Sequence, residues 1–217
     1  MTQLTVRDLG RIGYQAALDE QLRLVARAKT READEPTLLL LEHDPPVITV
    51  GLRGENEDIL QSREKIAAMG VEVFESSRGG QVTYHGPGQL VGYGIIDVKR
   101  LGRGVRHHVE HLEEAILRTL RDYGIDAARL DGFTGVWTAD GSQKLAAIGV
   151  AVDHWVTYHG FALNMNTNMT HFDLIVPCGI RDRGVTSMAE LLGRDIDLDD
   201  VKYRIASHLA KIYDMTL

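Results

Sequence analysis

The segment Arg78-Gly-Gly-Gln-Val-Thr-Tyr-His-Gly-Pro-Gly-Gln89 sets a guanidinium, a phenol and an imidazole among glycines that let backbone come close to a ligand. A dinucleotide fingerprint would need a helix after its glycines, whereas Gly86-Pro87-Gly88 leads into a strand-like run, and no Walker sequence occurs elsewhere. What remains is a Gly/Pro turn between two strands or a ligand loop carrying Arg78, Tyr84 and His85. Cys178, the one cysteine, stands between Pro177 and Gly179 instead of inside an aliphatic stripe. It cannot form an internal disulfide, so it is a buried small side chain, a reactive thiol or an intermolecular partner. With an ordinary pKa of about 8.5 the thiol is mostly protonated at neutral pH, so a nucleophilic role requires a base or a positive field beside it. Lys144 opens the apolar run Leu145 to Val150. A desolvated lysine becomes a base, a charged one favours a neighbouring thiolate, and a strand-end lysine reaching into water is the plain alternative.

Histidines raise the question of a metal, since His107 and His111 lie four apart on a predicted helix beside Glu110 and Glu114. The spacing is not that of the zinc hydrolases and further ligands are missing, so the expectation is no metal and a solvated helix face. The 217 residues carry 24 Lys plus Arg against 31 Asp plus Glu, a net charge of −7. That balance argues against nonspecific nucleic-acid binding, which needs basic surface to replace phosphate counterions. The longest aliphatic run, Leu38 to Leu41, is far too short to cross a bilayer, and the N-terminus has no apolar export signal. The expectation is a cytoplasmic protein without a membrane partner, one domain over residues 1–217.

Helical periodicity marks Tyr14 to Ala28, Ile59 to Met69, Val105 to Tyr123 and Leu198 to Tyr213, and Ser187-Met-Ala-Glu190 reads as a capping box. Strand-like runs are Leu4 to Asp8, Thr37 to Glu42, Val47 to Val50, Val71 to Glu75, Gln81 to Tyr84, Gln89 to Val98, Thr134 to Thr138, Lys144 to Asp153 and Val156 to Asn166. The last two meet at Asp153-His154-Trp155, a connection short enough for an antiparallel hairpin. Strands cluster instead of alternating with helices, which predicts an α+β fold with a mixed sheet.

Taken together, these segments resemble the lipoyl(octanoyl) transferases. The family's RGG-x-x-TYHGPGQ stands at Arg78 to Gln89, TGVW at Thr134 to Trp137, K-[IL]-A-[AS]-[IL]-G at Lys144 to Gly149, HGFALN at His159 to Asn164 and PCGI at Pro177 to Ile180. The early EH-x-PPV-x-T-x-G stands at Glu42 to Gly51, so the likeness runs from about residue 37 to about 192. It implies the sheet-and-helix domain of the biotin and lipoate protein ligases. It implies an octanoyl group taken from octanoyl-acyl carrier protein, held as a thioester on Cys178, and passed to a lysine of a lipoyl domain. The acceptors it implies are lipoyl domains of 2-oxoacid dehydrogenase complexes and the glycine cleavage H protein. Lys144 would lower the thiol's pKa and act as acid and base. Arg78, Gly79, Gly80, Gln81, Val82, Thr83, Tyr84 and His85 would line the acyl and pantetheine site with Ala147, Ile148, Gly149, Gly160, Phe161 and Ala162.

A thioester donor is already activated, so such a reaction needs neither ATP nor any other cofactor or metal, and it runs through two half-reactions. Small residues at Gly149, Gly160 and Ala162 are expected to leave a slot for an aliphatic chain. Backbone amides near Gly179 or Lys144 are candidates to hold the thioester oxyanion. The basic run Lys99, Arg100, Arg103 and Arg106 offers docking for an acidic carrier protein, with a solvated loop as the bland reading. Arg181 and Arg183 offer a contact for the pantetheine phosphate or a loop brace. A monomer is expected from the resemblance. The rivals are an ATP-dependent lipoate or biotin protein ligase, a cysteine hydrolase, and a noncatalytic domain that binds lipid or carrier.

Overall fold

The computed structural model describes residues 2–30, 35–177 and 183–217. Cys178, Gly179 and Arg181 therefore lie outside the described residues. The strands are β1 (Thr5–Ile12), β2 (Thr37–His43), β3 (Val47–Val50), β4 (Glu72–Glu75), β5 (Val82–His85), β6 (Gln89–Ile95), β7 (Ala127–Leu130), β8 (Phe133–Thr138), β9 (Gln143–Asp153), β10 (Val156–Asn164) and β11 (Gly184–Val185). The helices are α1 (Tyr14–Thr30), α2 (Arg63–Ala68), α3 (Val105–Asp122), α4 (Met188–Leu192) and α5 (Leu198–Ile212). None of them is long and apolar enough to cross a membrane.

The larger sheet runs β1-β2-β6-β10-β9-β8-β7, with β11 added beside β9. β1 is parallel to β2 and β11 to β9, while the remaining pairs are antiparallel, so the expected mixed sheet is present. The run Leu38 to Leu41 is apolar throughout because β2 is covered on both faces. Leu38 and Leu40 pack with residues of α3 and α5, and Leu39 and Leu41 pack with Ala17 of α1. The smaller sheet, β4-β3-β5, has its own core of Ile48, Ile66, Val82, Tyr84 and Phe172.

Capping and turn chemistry set the element ends. The Ser187 capping box forms in full, with Gly193 in the left-handed region at the end of α4. Asp197 caps α5 through the backbone N–H groups of Asp199 and Asp200. The second helix is shorter than its periodicity predicts: Ser62 caps it at Lys65, and Ile59 is drawn instead into a bridge with Ile175. The β9–β10 hairpin turns on His154 and Trp155, both at positive φ, as a two-residue turn with the right twist requires.

On the helix that starts at Val105 the expected solvated histidine face is only partly present. His108 is fully buried with Nδ1 on the Tyr213 hydroxyl, and His111 meets the Tyr213 ring edge-on at 4.6 Å, so α3 and α5 share these rings. The neighbouring carboxylates are engaged in ion pairs, Glu110 with Arg106 and Glu114 with Arg118 and Arg129. In β6, Gly92 leaves room for Phe161 on the adjacent strand: a Cβ there would lie 2.2 Å from the Phe161 ring. Gly92→Ala is therefore expected to destabilise the fold by roughly 1–3 kcal/mol through overpacking, and Phe161→Leu in the same chain to recover part of it. Thermal unfolding of the single and double variants checks this.

Candidate active site

A cavity of about 580 Å³ opens between the 78–81 loop and the β9–β10 hairpin. Lys144, Phe133 and Thr134 line it on one side, and Tyr14, Tyr93 and His159 on another. Of the expected site residues, Arg78, Gly79, Gly80, Gln81, Thr83, His85, Ala147, Ile148, Gly149, Gly160, Phe161 and Ala162 border it together with Lys144.

Val82 and Tyr84 do not. Alternation along β5 sends Thr83 and His85 to the cavity, and Val82 and Tyr84 to the core of the smaller sheet. There Tyr84 meets Phe172 edge-on, its hydroxyl reaches Nδ1 of His171, and burial pushes its pKa up to about 12. Gly149, Gly160 and Ala162 all border the cavity, but at the two glycines the space a side chain would take is already filled. A Cβ on Gly149 would lie 2.6 Å from the Gly79 carbonyl oxygen and 3.1 Å from the Arg78 side chain, so the loop itself fills that space. A Cβ on Gly160 would lie 2.1 Å from the Gly92 carbonyl oxygen. These glycines permit close backbone approach instead of leaving room for a chain.

Lys144 is 6% exposed. Its amino group donates to the Thr134 carbonyl at 3.3 Å and lies 4.6 Å from the Trp137 ring centroid, within cation–π range. Gly135 makes the bend that brings β8 past it: its φ is +122°, and a Cβ there would strike the Ala146 carbonyl oxygen at 2.5 Å. The Gly135 N–H is held by Glu113 of α3, which in turn pairs with Arg129. The segment after residue 182 returns to the same strand, with Val185 opposite Lys144 and the Thr186 N–H donating to the Lys144 carbonyl.

Arg78 borders the cavity, yet its guanidinium is turned into the protein. Nε donates to Thr49 Oγ1, Nη2 to Oγ1 and the carbonyl of Thr49 and to the Gln81 carbonyl, and Nη1 to the Gly79 carbonyl. It ties the glycine loop to β3.

Beside it stand three imidazoles. His43 donates from Nδ1 to the Ile12 carbonyl, leaving Nε2 to accept the Tyr93 hydroxyl at 2.7 Å. His85 donates from Nδ1 to Gln89 Oε1 at 2.8 Å, since the Gln89 amide nitrogen is occupied by the Tyr84 carbonyl and Asn164 Oδ1. His159 has φ +57°; Gln21 of α1 accepts its N–H, and its ring contacts Ser77. Burial lowers the pKa of His43 and of His159 to about 4, and that of His85 well below its usual value; Arg78 adds to the effect at His85 and His159. Tyr14 donates to Ser76, and burial raises the pKa of both Tyr14 and Tyr93. All five rings are thus neutral at physiological pH, and four of them, Tyr14, His85, Tyr93 and His159, border the cavity. Tyr14, Tyr93 and the roles of His43 and His159 escape sequence reasoning. The two histidines stand inside family-like motifs, but nothing in their spacing says that they converge.

Arg78→Met is expected to cost roughly 2–4 kcal/mol, because buried carbonyls and Thr49 lose their donor, with Arg78→Lys a poor substitute. Unfolding curves check this; a residue that only contacted substrate would leave them unchanged. The histidines give the fold a pH dependence of definite sign. As pH falls from about 6.5 the unfolded chain takes up protons that folded His43 and His159 refuse until about pH 4, so stability drops across that window. Urea midpoints measured across it are expected to fall less steeply for His43→Gln than for the unaltered chain.

The family model for the lipoyl protein ligase A/B catalytic domain matches residues 12–210. The chain is 50% identical over 213 residues to an octanoyltransferase of Caldicellulosiruptor saccharolyticus, covering 97% of this chain and 89% of that one. It is 48% identical over 217 residues to an octanoyltransferase of Solibacter usitatus, covering 100% and 96%. Among solved structures, the bipartite lipoate protein ligase of Thermoplasma acidophilum superposes with a TM-score of 0.74 at 17% identity, over 100% of this chain and 86% of that one. The biotin protein ligase of Aquifex aeolicus superposes at 0.53 and 14% identity, over 99% and 70%. These two likenesses concern the fold. The family model over most of the length and the octanoyltransferase relatives together show that the chain belongs to the lipoyl protein ligase A/B catalytic-domain family.

Proposed function

We propose that the chain is an acyltransferase that takes an octanoyl group from octanoyl-acyl carrier protein and delivers it to the lysine of a lipoyl domain, by way of a thioester on Cys178. The observation that carries this reading is a buried lysine amino group opening into the same cavity as the glycine loop and the 147–149 and 160–162 segments. In the first half-reaction the Cys178 sulfur attacks the thioester carbonyl, its proton passes to Lys144, and the carrier's thiol leaves with a proton. In the second, the acceptor lysine, as the free amine, attacks the Cys178 thioester. Lys144 takes the proton that amine loses and returns one to the departing Cys178 sulfur. The uncharged rings of Tyr14, His85, Tyr93 and His159, with Phe133, Ile148, Phe161 and Ala162, give an aliphatic chain a wall without net charge on that side. A cytoplasmic location, a monomer, and acceptors drawn from 2-oxoacid dehydrogenase complexes and the glycine cleavage H protein belong to the same proposal. The basic run begins at a turn where Lys99 lies against Trp155, and Arg103 and Arg106 flank the start of α3, whose Val109 borders the cavity. That placement supports docking of an acidic carrier at this rim.

Intact-mass analysis after exposure to octanoyl-acyl carrier protein is expected to show one octanoyl adduct on the unaltered chain and none on Cys178→Ser, which also loses transfer to a lipoyl domain. Lys144→Ala is expected to slow both half-reactions by about 10²–10⁴-fold. A Cys178→Ser chain that still modifies a lipoyl domain when given ATP and free octanoate would establish a ligase instead. Release of free octanoate without acceptor modification would establish a hydrolase.

A further inference from the structure

Arg183 spends its guanidinium on rings and a carbonyl. Its Cζ lies 5.4 Å from the Phe133 ring centroid and 5.9 Å from that of Trp137, Nη1 donates to the Gly141 carbonyl, and Nε is buried with no hydrogen-bond partner among the described residues. A guanidinium nitrogen gives up water without a hydrogen bond only where something else compensates, and here aromatic surface does. Trp137 is 1% exposed, meets Phe133 edge-on at 5.9 Å, and has its own Nε1 buried without a partner among the described residues, so its position is set by ring contacts. The same indole carries the Lys144 amino group at 4.6 Å. Downstream backbone is also fixed to this strand, because Gly184 and Val185 pair with Gln143 and Lys144.

We propose that Arg183 is a positioning residue for Lys144. Laid on Phe133 and Trp137 and pinned at the Gly141 turn, it fixes the indole on which the lysine amino group rests, and so fixes where that amino group stands in the cavity. This rests on the acid/base role of Lys144 given above. Its contacts are those of a brace and not of a contact for the donor's phosphate.

The test is a double-mutant cycle on the single-turnover rate of acyl-enzyme formation from octanoyl-acyl carrier protein, read by quenched-flow mass spectrometry. Arg183→Leu removes charge and donor, Arg183→Gln keeps an N–H for the Gly141 carbonyl, and Arg183→Lys keeps the charge. In the unaltered background the Leu and Gln variants are expected to lose about tenfold in rate with an unchanged KM for the donor, and the Lys variant to regain most of it. In a Lys144→Met background Arg183→Leu is expected to change the residual rate by less than about twofold, because the effect passes through the lysine. Equal losses in both backgrounds, or no loss in the first, would overturn the proposal. Should Arg183→Leu not fold, as melting curves will show, the Gln and Lys variants complete the cycle. If the unaltered chain forms no acyl-enzyme at all, the reading of the site fails first, and the proposal with it.

Discussion

Placing a lysine amino group inside the protein is the demand that organises this half of the molecule. Removing such a group from water costs on the order of several kcal/mol if it is charged and poorly compensated. The Thr134 carbonyl and the Trp137 ring supply compensation, and both belong to β8. They reach Lys144 only because β8 bends at Gly135, in a conformation that a side chain would oppose. The bend in turn is held from α3 by Glu113. One buried group thus accounts for a glycine and an indole on β8 and a buried carboxylate on α3.

The far side of the cavity follows the opposite rule. There, polar rings are numerous but uncharged, and each has its partner in the protein. A chain of hydrogen bonds joins the two sides: His85 to Gln89, Gln89 to Asn164, Asn164 to the Thr186 carbonyl, and the Thr186 N–H to the carbonyl of Lys144. These links cross β5, β6, β10 and the segment after β11, so the glycine loop and the lysine are held in one frame although 66 positions separate Arg78 from Lys144. Polar groups paired in this way favour one arrangement of the surrounding strands over its neighbours.

Much of this was legible from residue types. Capping by Ser187 and Glu190, the apolar run in β2 and the hairpin at His154-Trp155 are local signals, and local physics decides them. Two short strands, β7 and β11, carry no such signal, since Ala127–Leu130 lacks a clear alternation and Gly184–Val185 is a strand only because β9 lies beside it. Most of the expected site residues meet at the cavity because the glycine loop and the hairpin lie face to face. Val82 and Tyr84 fall elsewhere because a contiguous motif placed on a strand cannot send every side chain the same way. Arg78 reads as a ligand contact from its glycine neighbours, and only the position of Thr49, 29 residues earlier, shows where its donors go. Tyr14 and Tyr93 had no motif to announce them; the register between β6 and β10 and the packing of α1 bring them in.

The glycines of the hairpin set a limit on how such a cavity can diverge. At Gly149 and Gly160 the nearest atoms to any added side chain are main-chain oxygens, which cannot swing aside as a side chain would. Substitution there moves strands and does not merely trim volume. The floor is consequently common property of any sequence that keeps this pairing, and differences in what is admitted have to be written in the side-chain walls: Tyr14, Tyr93, Phe133 and Ile148. Lineages that drift toward longer, shorter or bulkier acyl groups would carry their history in those four positions and leave the floor silent.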